Sequence, residues 1–172
     1  MAATARAAGY RADFVAYTLF GELDMDAAGN EKRIARRTPQ VEIQVTRCGW
    51  EGAWRREGLL AYGQLYCREI DAALLRGFNP ALRFVVDGTL SAGAPLCRFL
   101  YPDGRLGAAE LIRYQWGRWR LGAGSIRPFA FHVGELYGVL AAVLVERSGE
   151  AGRAAAAAAE ATFREKYEVG PH

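Results

Sequence analysis

The stretch VEIQVTRC, residues 41–48, decides how the chain is read. Val41, Ile43 and Val45 alternate with Glu42, Gln44 and Thr46, and a period of two puts the aliphatic side chains on one face of a strand and the polar ones on the other. A half-buried strand is expected to run to about Cys48. The period then changes. Residues 53–76 contain no proline, and Leu59, Leu60, Gln64, Cys67, Asp71, Leu74 and Leu75 recur at helical spacing, with Gly77 as the stop signal and Pro80 beyond it. LRFVVD, a turn at residues 87–89 and PLCRFLY then read as two further strands, the second containing Cys97.

Outward from this core the signals weaken. YRADFVAYTLF, residues 10–20, suits either a strand or a short helix, and GELDMDAAGNEKRIARRTPQ, which ends at residue 40, reads as loop with at most one helical turn. Residues 107–121 read as a helix broken at Gly117 or a helix leading into a short strand. Two helices are expected to close the chain, one over Phe129 to Val145 and one from about Gly149 to Tyr167, the latter favoured by the alanine run 154–159. There is no internal repeat. The expected fold class is α+β, a single domain over residues 1–172 with a small antiparallel sheet of about four strands packed against several helices. Its parts are a partly irregular segment 1–40, a cysteine-bearing core 41–101 and a mainly helical region 107–168.

Composition bounds the function. A chain of 172 residues buries roughly 70% of its unfolded surface and needs no metal or disulfide to fold. The net charge of +3 comes from arginine, with lysine only at Lys32 and Lys166, and acidic residues are interspersed, so no anionic partner is implied. No apolar run reaches signal-peptide or membrane-spanning length, so the expectation is a cytoplasmic protein with no membrane partner. Three cysteines without close paired spacing fit neither a disulfide framework nor a zinc module, so the thiols are expected to be reduced and no metal or other cofactor is expected. P-loop, dinucleotide, GxSxG and HExxH patterns do not occur.

The remaining chemistry sits on one helical face. Cys67 and Asp71 are four residues apart; a thiolate is a nucleophile, but a carboxylate one turn away opposes its formation, so the pair needs a third group. His132, with Glu135 to orient it, offers a base if its helix faces Cys67. Against this stands the plainer reading of a packed cysteine beside a solvated charge. RYQWGRWR, residues 113–120, mixes arginine with aromatics in a way that suits single-stranded nucleic acid. We read it instead as an amphipathic element with aromatics toward the core and arginines toward water, so no nucleic-acid partner is expected.

Three segments, CGWEGAWRREG (48–58), YGQLYCREIDAALLRGFNPAL (62–82) and TLSAGAPLCRF (89–99), together resemble the L-2-amino-thiazoline-4-carboxylic acid hydrolase family. The resemblance covers the middle third of the chain and brings all three cysteines into the family's order. It implies a small α+β enzyme that opens a thiazoline ring by hydrolysis at its amidine-like carbon. By position it marks Cys48, Cys67, Asp71 and Cys97. The site expected from these residues has Cys67, Asp71 and His132 as catalytic groups, with Cys48, Trp50, Trp54, Tyr66, Asn79, Cys97 and Glu135 against a small-molecule substrate; a homo-oligomer is compatible with it. Gly49 and Ala94 depart from the family's usual proline and carboxylate. The helical pair that family members carry ahead of the cysteines is matched here by a pattern after them, as in a permuted relative or one whose helices pack on a partner subunit. Such departures admit a biosynthetic cyclase, lyase or isomerase on the same scaffold, with a pocket lined by aromatics including Trp116 and Phe131. They also admit a non-catalytic binding module.

Overall fold

The computed structural model describes residues 1–21 and 29–167. These form two compact units, Met1–Arg127 and Pro128–His172. The fold is α+β. Four antiparallel strands, β1 (Glu31–Arg36), β2 (Val41–Arg47), β3 (Val85–Val86) and β4 (Cys97–Tyr101), lie in the order β1-β2-β4-β3.

The strand read from VEIQVTRC is β2. Val41 and Val45 are buried, and Ile43 packs on the core they belong to. Its polar face is not simply solvated. Glu42 is buried under Arg98 at 2.9 Å, Arg36 at 3.2 Å and Gln44 at 2.9 Å, and hydrogen bonds from Arg98 and Gln44 hold its carboxyl down to about 2. β1 lies in the segment expected to be loop. It is an edge strand, EKRIAR, whose side chains face solvent, so it needs no hydrophobic alternation and leaves no periodic signal. Residues 22–28 of that same segment lie outside the described residues. LRFVVD contributes only the two residues of β3.

Residues 10–20 form a helix, α2 (Phe14–Leu19), after the short α1 (Ala2–Ala7). Asp13 decides between the two readings: its carboxylate accepts the Ala16 N–H at 3.0 Å as an N-cap and also pairs with Arg113 at 2.6 Å. Phe14, Val15, Ala16 and Leu19 fill the core against Val41, Leu75, Phe78 and Tyr101.

The helix expected over 53–76 is two helices, α3 (Gly49–Arg56) and α4 (Leu60–Phe78). The break is at Gly58, whose φ of 70° lets Leu59 N–H reach Trp54 O at 2.8 Å and Gly58 N–H reach Arg55 O at 3.2 Å, the paired bonds of a Schellman cap. Gly77 does not stop α4. The helix runs on to Phe78 because that ring is buried in the core, and Asn79 ends it. The Asn79 side chain donates to Ala12 O at 2.6 Å and accepts from Ala81 N–H at 3.0 Å, tying the end of α4 to the segment before α2.

Residues 108–121 form one unbroken helix, α5 (Ala108–Leu121). Gly117 is a point of approach rather than a break, since a Cβ there would lie 2.6 Å from Leu19 Cδ1. The aromatics of RYQWGRWR divide. Tyr114 packs on the core with Leu111 and Leu121, whereas Trp116 and Trp119 pair with each other at 4.9 Å on the outer face, 60% and 74% exposed. The expectation that the aromatics face the core fails for both tryptophans because they fall with Ile112 at helical spacing opposite Gly117.

The second unit is α6 (Phe129–Tyr167), interrupted at Gly149 (φ 57°). The two expected closing helices are its two halves, and the Tyr137 hydroxyl within 3.2 Å of Ala156 O shows that they fold back on each other. Among the described residues no helix is long and apolar enough to cross a membrane.

Replacing Asn79 with alanine removes both bonds at the end of α4. We expect about 1–3 kcal/mol loss of stability in urea unfolding, with Ala12 O left without its donor.

Candidate active site

The site is assembled by strand register and one helical hairpin. Antiparallel pairing of β2 with β4 sets Val45 opposite Cys97, so Cys97 sits on the core-facing side at the end of the sheet where the chain leaves β2. Cys48 follows directly as the N-cap residue of α3, and Gly49 N–H donates to the buried Asn30 side chain at 3.2 Å, which anchors the start of that helix. α3 then turns back through Gly58 onto α4. Trp50 stacks on Tyr66 with ring centroids 5.6 Å apart, and Trp54 lies 6.0 Å from the same ring. Gly63 permits this, because a Cβ there would stand 2.5 Å from Trp54 Cγ. A 3₁₀ turn, Leu90–Ala92, closes the other side: Gln64 Nε2 donates to Ser91 O at 2.9 Å and Leu90 N–H donates to Cys97 Sγ at 3.2 Å.

The electrostatics of this cluster are governed by burial. Asp71 has its carboxyl pushed up from 3.8 to about 6 by desolvation, with no cation or hydrogen-bond donor among the described residues opposing the shift. Its charge in turn raises the pKa of Tyr17, Tyr66, Cys67, Cys97 and Tyr101. Burial first, and Asp71 second, pushes the hydroxyls of Tyr17 and Tyr66 up to about 12. Burial raises the Cys97 thiol to about 11 against the Leu90 hydrogen bond. It also raises Cys67, reinforced by Cys48, Asp71 and Glu51 and opposed by a hydrogen bond from Ser91. All three cysteines are free thiols, Cys97 buried and the other two partly exposed. The Trp54 indole N–H is buried with no acceptor among the described residues. No three His, Cys, Asp or Glu side chains among the described residues are placed to hold a metal ion.

A half-buried carboxyl raised to about 6 beside a partly exposed thiol and an aromatic wall is compatible with acid–base chemistry. The sequence model of the family described as L-2-amino-thiazoline-4-carboxylic acid hydrolase matches residues 1–101. The chain belongs to this family. The match extends the resemblance of the middle third back to the first residue; it takes in α1 to α4, the 3₁₀ turn and all four strands, and therefore the whole cluster from Cys48 to Cys97. The family name denotes a hydrolase. No curated protein and no solved structure matches the chain.

Of the residues expected from sequence, Cys48, Trp50, Trp54, Tyr66, Cys67, Asp71 and Cys97 are brought together here. Asn79 is spent on the two backbone hydrogen bonds described above. His132 and Glu135 lie on α6 in the second unit, outside the region that the family match covers, as does Phe131. Trp116 stands with Trp119 on α5. Sequence reasoning missed Ser91, Thr89, Tyr17 and Tyr101. The first two stand in the quoted TLSAGAPLCRF segment but have no periodicity of their own, and the two tyrosines reach Asp71 only through the packing of α2 and β4 on α4.

The Asp71 shift has a thermodynamic sign. The folded state holds the proton more tightly than the unfolded chain, so the contribution of Asp71 to stability is greatest below about pH 3.8 and is lost as pH rises through about 6. Replacing Asp71 with asparagine removes that penalty. We expect the variant to be more stable than wild type by on the order of 2–3 kcal/mol above about pH 6 and to converge with it below about pH 4, read from urea unfolding across pH.

Proposed function

We propose that this site hydrolyses a small heterocycle at a C=N carbon, as the family name suggests, with Cys67 as nucleophile and Asp71 as the group that moves the proton. The observation that carries the reading is the placement of Asp71. A carboxyl raised to about 6 is largely ionised at neutral pH yet basic enough to accept a proton, the compromise that general acid–base catalysis favours. Cys67 rests as the thiol, because burial and its acidic neighbours hold its pKa up. It therefore has to lose its proton as the sulfur attacks, and Asp71, one helical turn away, is the acceptor.

In this mechanism the Cys67 sulfur adds to the C=N carbon while its proton passes to Asp71. The protonated Asp71 then delivers that proton to the departing ring heteroatom, the ring opens, and water releases the product from sulfur. Trp50 and Tyr66 supply a flat apolar wall suited to a planar ring. Water is the only co-substrate needed.

The raised Cys67 pKa also favours a second reading, in which Asp71 alone does acid–base work on a cyclisation, elimination or isomerisation and Cys67 packs beside it. Turnover of 2-amino-thiazoline-4-carboxylate and related heterocycles separates the two. In the hydrolase reading Cys67→Ser and Asp71→Asn each lower kcat by about 100-fold or more while the protein stays folded, and mass spectrometry of a quenched reaction finds a substrate-derived adduct on Cys67. Full activity in Cys67→Ser moves the assignment to the second reading. His132→Gln keeps most of its turnover if Asp71 is the acceptor, and loses it if the imidazole joins the proton transfer.

A further inference from the structure

We propose that the outer face of α5 rests on an anionic lipid surface, with Ile112, Trp116 and Trp119 entering the headgroup layer and the arginines beside them meeting lipid phosphates. The proposal stands apart from the chemistry at Cys67 and concerns the stretch RYQWGRWR, which the candidate active site does not use.

The spacing of Ile112, Trp116 and Trp119 puts them in one stripe along the helix. The other side of α5 is committed to the core, through Tyr114 and through Gly117, where Leu19 is seated. Ile112 is 71% exposed, and together with the two tryptophans, Leu111 and Gln115 it lines a shallow apolar groove of about 510 Å³. Trp116 also belongs to an adjoining recess of about 270 Å³, whose other walls are Gly9, Tyr10, Arg11, Arg113 and Arg120. Arg113 pairs with Asp13 at 2.6 Å, whereas Arg11 and Arg120 make no ion pair among the described residues. Three guanidinium groups against one carboxylate leave the recess positively charged. An apolar stripe and a cationic recess therefore share one tryptophan.

These features favour a lipid surface over the other occupants. The three apolar side chains stand out from the helix instead of closing a cavity, so they suit a surface they can enter. A second copy packed stripe to stripe about a twofold axis would gather the arginines of both copies around one desolvated contact, where like charges repel. A single-stranded nucleic acid stacks on open rings, but the two tryptophans lean on each other with centroids 4.9 Å apart, and Ile112 has no ring. A lipid interface accepts all three features at once: tryptophan favours the headgroup level, an aliphatic side chain the acyl boundary, and arginine reaches phosphate while its stem stays apolar. The expectation of no membrane partner came from the lack of a spanning run, and a helix lying in the plane of the interface needs none.

The test is flotation of the full chain with vesicles of phosphatidylcholine, alone or mixed with phosphatidylglycerol. Binding to the mixed vesicles at low salt is expected, with weaker binding to phosphatidylcholine alone and release as salt is raised. Arg11→Gln combined with Arg120→Gln is expected to weaken binding to the mixed vesicles about fivefold for each charge removed. Ile112→Gln combined with Trp119→Gln is expected to weaken it by about tenfold or more. In mixed vesicles whose phosphatidylcholine is brominated on the acyl chains, the tryptophan emission of the wild-type protein is expected to be quenched. Failure of the wild-type protein to float with the mixed vesicles overturns the proposal, as does undiminished binding by either folded double variant. Should a variant not fold, unquenched wild-type emission overturns it without any substitution. A dimer in analytical ultracentrifugation that Ile112→Gln with Trp119→Gln dissolves would give the face to a second copy. Binding of an oligothymidylate that the same pair abolishes would give it to single-stranded nucleic acid, and either result overturns the lipid assignment.

Discussion

Antiparallel pairing of β2 with β4 is the constraint on which the rest of the site depends. With Val45 opposite Cys97, the strand that ends at Arg47 delivers Cys48 to the same end of the sheet, and α3 starts there. A one-residue slip would turn the core-facing residues of one of the two strands, Val41 and Val45 or Cys97 and Tyr101, toward solvent. The hydrophobic cost of exposing those buried side chains pins the register, and the register in turn brings two cysteines distant in sequence to one place. α4 meets them because α3 and α4 fold back on each other through Gly58, with Trp54 seated over Gly63.

Burying a carboxyl without a cation is unusual, and it gives this site its character. Asp71 sits among tyrosines and thiols, groups that are neutral at physiological pH and that desolvation keeps neutral. The contrast with Glu42 is instructive, because both carboxylates are removed from much of the solvent. Glu42 has Arg98, Arg36 and Gln44 to hold its charge, which lower its pKa; Asp71 has no such partner among the described residues, and burial raises its pKa. The first ties three strands together, β1 through Arg36, its own β2, and β4 through Arg98, whereas the second is left able to exchange a proton in the range where enzymes work.

The α+β class, the central strand and the helical face carrying Cys67 and Asp71 were all legible from periodicity, because β2 and α4 each bury one face and so must repeat every two or every 3.6 residues. Elements that bury little were not legible. β1 is an exposed edge strand held by backbone hydrogen bonds, and nothing in EKRIAR reports that pairing. One helix was expected over residues 53–76 with Gly77 as its stop, whereas the chain breaks at Gly58, which is left-handed, and Gly77, which is not, stays inside α4. On α5 the sequence carries two apolar stripes, and only the fit of Leu19 against Gly117 decides which one faces α2.

By itself the sequence determined the family, the order of its three cysteines and the sharing of one helical face by Cys67 and Asp71, since each depends on residue identity and local spacing. Only the tertiary structure decided that Asp71 is desolvated with no partner among the described residues, that Trp50, Trp54 and Tyr66 form one wall, and that Gln64 of α4 holds the turn at Ser91 beside them. Proton affinity and hydrogen bonding depend on what lies within a few ångströms in space. For this site those neighbours come from β2, α3, α4, the 3₁₀ turn and β4, elements that no local pattern relates to one another.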